Sequence, residues 1–398
     1  MTPSQIALLA QQAQASYANL SDGMAGPSFA DALKTPQGGF TTTQSQLFAA
    51  GHSVLLQYND DAAGAGGTGT SLSLTVFKDN GGNLTLAIRG TLEVEDFTPT
   101  DANVFTMGAG YDQIAAMYNW WQRASTPAGQ QVAQYRVRVV EFEGTSATAS
   151  LLPLYGLPSL GSNQVMALER IADASATGDL IAALAADPNH SLDVTGHSLG
   201  GHLAMAFAAL FPAVTTTATA FNAPGFIQSS INEQFFSRLG GAVPAANNIG
   251  GVTTNVIANH TTQADVPWQG IAGLHSRPGT IVNVPIESQT GIGEPAKPSA
   301  LNHSQMILVD ALAVHVLFEK LQPGLAGAAF SKLLETATNR EYAGLEGLVE
   351  TLRSILGLGT GPLPAGHNQR EALYQTITTI QESDAFAKLV SKVEIAPT

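Results

Sequence analysis

The chain holds no cysteine. That removes disulfides, thiolate nucleophiles and cysteine-ligated metals together. Charge is scarce: Asp, Glu, Lys and Arg make up 12% of the 398 residues, against about 25% in an average soluble domain. What charge there is leans acidic, to a net of −14. A basic stripe of the kind nucleic-acid binders need is therefore missing. Any contact with an anionic membrane surface would have to be apolar and local. No run approaches the ~20 uninterrupted apolar residues of a membrane span. The N-terminal stretch MTPSQIALLAQQAQASYANL has neither a basic region nor a long apolar segment, and it predicts an amphipathic helix rather than a signal peptide. The expected location is outside the cell, reached without such a peptide, with the cytoplasm as the alternative.

What is present suits a large core, since 44% of the residues are hydrophobic. β-Branched runs predict strands at 71–79, 84–90, 135–142, 191–196, 215–223 and 253–259. The first two flank NGGN, a hairpin signal. Helical spacing is read at 163–187, 200–211 and 302–320. Strand and helix in alternation predict an α/β class: a mainly parallel sheet with helices on both faces and the hairpin at one side. After Pro323 the pattern becomes helical at 325–358 and 368–392, joined by GLGTGPLPAG. The organisation expected is a catalytic domain over 1–323 and a helical appendage over 324–398. The glycine-rich GAGGTGT at 64–70 lacks the Lys-Ser/Thr ending of a phosphate loop and reads as a plain loop.

One stretch carries chemistry. VTGHSLGGHLAMAF at 194–207 sets Ser198 between glycines where an apolar strand turns into a small-residue helix. G-x-S-x-G in that setting is a nucleophile elbow, a strained corner that exposes the hydroxyl. A serine hydroxyl needs a base, and the base needs an orienting acid. Downstream histidines are His202, His260, His275, His303, His315 and His367. His202 lies down the helix and packs beside the elbow, His315 sits within a helix, and His367 belongs to the appendage. His303, at the end of a Pro/Gly-rich loop, is the preferred base, with His275 behind it and a plain helix-start polar residue as the bland reading. The acids between Ser198 and His303 are Glu233, Asp265, Glu287 and Glu294. Asp265 follows a strand at the same sheet edge as the elbow and is preferred, with Glu287 next. Oxyanion donors are expected at the backbone N–H of Leu199 and at Thr91, which follows Gly90 after an upstream strand.

With AIRGT, TGHSLGGH, FNAPGF, ADVPW and NHS in this order, the chain resembles bacterial lipases and phospholipases A1 of the class 3 lipase group. It is most similar to the catalytic region of lipases exported by type I secretion. The similarity spans roughly 5–320. It implies an α/β-hydrolase fold and matches Arg89–Thr91 to the oxyanion segment, Gly196–Gly200 to the elbow, Asp265–Pro267 to the acid and His303 to the base. The glycine- and aspartate-rich calcium repeats of type-I-secreted relatives are missing from this sequence.

A lipid substrate needs an apolar groove. The stretch 144–164 is polar at both ends and apolar between, and it is expected to be a loop acting as lid or groove wall, with Leu151, Leu152, Leu154, Tyr155 and Leu157 toward the acyl chain. MYNWW at 117–121 reads as a core helix. Glu93, Glu95, Asp96 and Asp101 could hold a structural Ca²⁺, though a solvated acidic loop is the plainer reading. No cofactor is required by this chemistry, and no obligate protein partner is inferred. Three functions compete: a triacylglycerol lipase or carboxylesterase, a phospholipase A1 acting as a secreted toxin or effector, and a non-catalytic hydrolase-fold binding module.

Overall fold

The structure is a computed structural model. It describes residues 1–60, 69–91, 104, 106–141, 148–155, 163–187, 190–260, 274–286, 303–337, 344–366 and 368–395. The chain opens with helix α1 (Pro3–Ala15), α2 (Gly26–Leu33) and α3 (Thr42–Gly51). Thr2 starts α1 by accepting from the Gln5 backbone N–H at 3.2 Å, while the Gln5 side chain accepts from the Thr2 N–H at 2.8 Å. This reciprocal cap satisfies two donors that the first helical turn leaves over. Thr41 and Gln44 repeat the device at α3.

Strands β1 (His52–Asn59), β2 (Ser73–Asp79) and β3 (Leu84–Ile88) follow. Then come α4 (Tyr111–Ser125), β4 (Gln131–Glu141), β5 (Leu151–Tyr155), β6 (Gln164–Ser175) and α5 (Ile181–Ala186). Strand β7 (Leu192–His197) leads into α6 (Leu199–Leu210), and β8 (Thr215–Phe221) precedes α7 (Ser230–Arg238) and α8 (Ala246–Ile249). Strands β9 (Thr253–His260) and β10 (Thr280–Ile286) complete the sheet. The remaining helices are α9 (Gln305–Leu321), α10 (Gly327–Ala337), α11 (Gly344–Ile355), α12 (Arg370–Gln381) and α13 (Asp384–Ile395).

The central sheet runs in the order β1-β2-β3-β7-β8-β9-β10. From β3 to β10 the neighbours are parallel, while β1, β2 and β3 are antiparallel. This is the expected class, with the hairpin at one edge. Both faces are covered, as a parallel sheet requires. Leu86 and Ile88 join the core under α4 and α6, whereas Ala87 between them joins the core of α2 and α3. The MYNWW helix is core: Met117, Trp120 and Trp121 are buried.

Three expectations are corrected. The run 163–187, read as a helix, is mostly strand β6, with helix only at α5. Met, Ala, Leu and Glu favour helices in isolation, but β6 is flanked by β4 and β5, and pairing overrides propensity. Glu169 lies opposite Arg136 and accepts from it at 2.6 Å and from Arg138 at 2.8 Å, so the cross-strand charges suit this register. The 135–142 strand belongs to this separate three-stranded sheet, not to the central one. Finally, 151–155 is strand β5 rather than loop.

Among the described residues after Pro323 lie helices α10 to α13. Their apolar side chains do not form a core of their own. Phe330, Val349 and Ile380 share one cluster with Ile286 on β10 and Leu308 and Leu317 on α9. Arg370 on α12 clasps Asp310 on α9 with two bonds, at 2.5 and 2.7 Å, and Tyr374 donates to the same carboxylate at 2.8 Å.

Candidate active site

The corner between β7 and α6 is held by close packing. A Cβ on Gly196 would lie 2.3 Å from the Gly200 backbone, and one on Gly200 would lie 2.0 Å from the Ile88 carbonyl oxygen. Only glycine lets β7, α6 and the end of β3 approach this closely. The strain of the turn falls on Ser198, at φ 57° and ψ −126°. A non-glycine residue at positive φ costs about 1–3 kcal/mol and persists only where the surroundings enforce it. Here the Ser198 N–H donates to Phe221 O at 2.8 Å at the end of β8, while the hydroxyl is left at the head of the helix.

His303 meets that hydroxyl. Its Nε2 is 2.9 Å from Ser198 Oγ. The imidazole stands just before α9, whose first residue Gln305 ties the helix to the α1 backbone by donating from its side-chain Nε2 to Ala10 O at 2.9 Å. Burial pushes the His303 pKa down to about 4, so the ring is neutral at physiological pH. With Nε2 unprotonated, it accepts the serine proton, and the ring's own proton sits on Nδ1. The structure thus brings Ser198 and His303 together.

Asp265 lies past the end of β9, outside the described residues, as do Glu287, Glu294, His367 and Leu157, and the acidic residues Glu93, Glu95, Asp96 and Asp101. Glu233, the remaining candidate acid, is exposed on α7.

The oxyanion segment abuts the elbow. A Cβ on Gly90 would be 2.5 Å from His197 O and 3.3 Å from Ser198 Cβ, which sets the β3 exit beside the nucleophile, with half-buried Thr91 next in the chain. Leu199 is the first residue of α6, and helix-start N–H groups have no acceptor within the helix.

Three other candidate histidines, His202, His275 and His315, take structural places. His202 is fully buried, stacks on Phe226 with ring centroids 3.9 Å apart, and accepts from the Gly110 N–H at 3.3 Å. Burial pushes its pKa to about 3. His275 donates to Val104 O at 2.8 Å, and His315 donates to Leu325 O at 3.1 Å and stacks on Phe330. Of the residues expected to line an acyl groove, Leu152 and Leu154 are buried in the main core and Leu151 is half-buried. Leu152 also borders an open depression with Glu233, Gln234, Ser237 and Arg238, a set that includes neither Ser198 nor His303.

Three residues at the site escape the sequence reading. His197, inside the elbow motif, donates from Nε2 to the His303 carbonyl at 2.7 Å. Tyr17 reaches the other side of that ring, with its hydroxyl 2.9 Å from His197 Nδ1. Asn222, at φ 47°, holds the Ala258 N–H at 2.9 Å through Oδ1 and brings Nδ2 to 3.5 Å from the His303 carbonyl. His197 could have been suspected from its place beside the nucleophile; Tyr17 carries no local signal.

Neither a protein-family model nor a curated protein sequence matches the chain. Similar solved structures include the Lip2 lipase of Yarrowia lipolytica, at 14% identity over 74% of this chain and 82% of that one, with a TM-score of 0.33. A lipase from Rhizopus microsporus var. chinensis matches at 14% identity over 74% and 77%, with a TM-score of 0.35. A triacylglycerol lipase from Penicillium expansum matches at 12% over 72% and 80%, with a TM-score of 0.30. TM-scores this low carry no inference about chemistry, which rests on the site's own geometry: a strained serine, paired with a neutral, half-buried histidine, at the carboxyl edge of a parallel sheet.

Proposed function

We propose that the protein is a serine carboxylic ester hydrolase acting on lipid esters. The observation that carries this reading is the 2.9 Å approach of His303 Nε2 to Ser198 Oγ at the β7–α6 corner. Nucleophile and base are within hydrogen-bond reach, as acyl transfer requires. In the proposed reaction Ser198 Oγ attacks the ester carbonyl carbon while His303 Nε2 takes its proton. The tetrahedral oxyanion is held by the Leu199 N–H and by Thr91. His303 then gives the proton to the departing alkoxide, leaving an acyl-serine. Water, deprotonated by His303, attacks that acyl group, and the fatty acid leaves as Ser198 regains its proton. Asp265 is assigned to the orientation of His303 through Nδ1–H, and its negative charge would stabilise the transient imidazolium.

The lipid class is supported by the sequence resemblance and by the net charge of −14, which disfavours polyanionic substrates. A panel of p-nitrophenyl esters, emulsified triacylglycerol and phosphatidylcholine, each assayed with wild type and Ser198→Ala, tests the reading. Turnover of triacylglycerol and soluble esters that vanishes in the variant is the expected result. Turnover that survives Ser198→Ala would move the chemistry elsewhere, and dominant release of fatty acid from phosphatidylcholine would replace lipase by phospholipase.

A further inference from the structure

His303 needs more than a position in sequence to meet Ser198 at 2.9 Å. It precedes α9 by two residues and has only a short anchored backbone before the helix begins. One anchor is visible. The carbonyl of His303 itself faces the His197 ring, whose Nε2 is 2.7 Å away. A carbonyl oxygen only accepts, so the proton of the neutral ring sits on Nε2. Nδ1 is then an acceptor, and the Tyr17 hydroxyl, 2.9 Å away, donates to it. Each bond fixes the direction of the next.

We propose that Tyr17 and His197 are positioning residues for the general base: a directed relay from the Tyr17 hydroxyl through the His197 ring to the His303 backbone sets the imidazole on Ser198. This rests on the ester-hydrolase reading of Ser198 and His303. The geometry is built for it. The Tyr17 hydroxyl occupies space that a Cβ on Gly90 would enter at 2.5 Å, so the relay and the oxyanion segment share one wall. The two imidazoles lie 4.8 Å apart between centroids. His197 must therefore stay uncharged when His303 takes up the serine proton, and burial together with the neighbouring His303 holds its pKa at about 3. A ring that cannot become a cation keeps its donor and acceptor assigned throughout turnover.

The test uses the full chain with Tyr17→Phe, His197→Phe and His197→Gln, a soluble p-nitrophenyl ester, and a fluorophosphonate probe of Ser198. Loss of base alignment should appear in kcat with KM nearly unchanged, since substrate binding is untouched. A misplacement of about an ångström can cost ~10²-fold, so His197→Phe is expected to lose ~10²-fold and Tyr17→Phe about tenfold. Gln offers an amide N–H near the Nε2 position, and His197→Gln should recover at least ~10-fold over His197→Phe. A merely structural role would lower the melting temperature without this split or this rescue. In case a variant does not fold, ¹⁵N NMR of the wild-type protein reads the His197 tautomer directly, and protonated Nε2 with bare Nδ1 is expected. Folded variants with unchanged kcat, or a wild-type His197 protonated on Nδ1, would overturn the relay while leaving the esterase intact. A wild type that neither hydrolyses esters nor takes the probe would instead bring down the ester-hydrolase reading itself.

Discussion

The base at this site is poised low. Burial holds the His303 pKa at about 4, below its ordinary 6.5. Nε2 carries a lone pair above that value and a proton below it. With a non-ionising soluble ester, kcat/KM should therefore stay level as pH falls from neutrality to about 5 and halve near 4. An acid limb already descending near 6.5 would mean that the carboxylate of Asp265, assigned above to the Nδ1–H, raises the ring's pKa enough to offset burial. The same crowding makes a second prediction. Gly90→Ala would push a methyl to 2.5 Å from both His197 O and Tyr17 Oη, so kcat should drop by about tenfold or more, as displaced catalytic groups do. At this scale the sequence exposed Ser198 and His303, because a local motif and a loop end mark them. It hid Tyr17 and Asn222, since their roles come from contacts made 180 and 81 residues away along the chain, which no periodicity encodes.

At the scale of elements, the parallel core was legible where β-branched runs alternate with helical spacing. The second sheet was not. Strand β6 is written in helix-forming residues, and only its place between β4 and β5 makes it a strand. Strand β5 looked like an apolar loop because Pro153 sits inside it; an edge strand tolerates that proline. Leu152 and Leu154 on it are core, with Leu152 only 3% exposed. Leu152→Ala should accordingly cost about 2–5 kcal/mol of stability and lower turnover of short- and long-chain esters equally. A selective loss on long-chain emulsions, with unchanged melting temperature, would return Leu152 to the acyl groove. The C-terminal helices are fastened by charge as well as by packing. Arg370 and Asp310 are 10% and 8% exposed at their side chains, and removing one member of such a pair strands the other. Arg370→Ala should lose about 3–5 kcal/mol in urea unfolding, whereas a loss near zero would show that water reaches Asp310 freely.

Taken whole, the molecule carries buried neutral histidines that titrate normally once unfolded. His197 and His202 are both held near 3 by burial, against an ordinary 6.5. Below 6.5 the unfolded chain takes up protons that the folded chain refuses, so stability is full above 6.5 and is lost progressively until pH reaches about 3. Each group contributes about 1.4 kcal/mol per pH unit in that window. Between about pH 7 and pH 5 the two together should remove about 4 kcal/mol and His303, held near 4, about 2 kcal/mol more, and His202→Phe should abolish about a third of that slope. The central claim, however, is that Ser198 is a nucleophile activated by His303. Peptide mapping by mass spectrometry after fluorophosphonate treatment tests it most directly, in wild type and in His303→Ala. The account predicts a single adduct on Ser198 in the wild type and labelling slowed by orders of magnitude in the variant. An adduct on another residue, or equally fast labelling without His303, would contradict it.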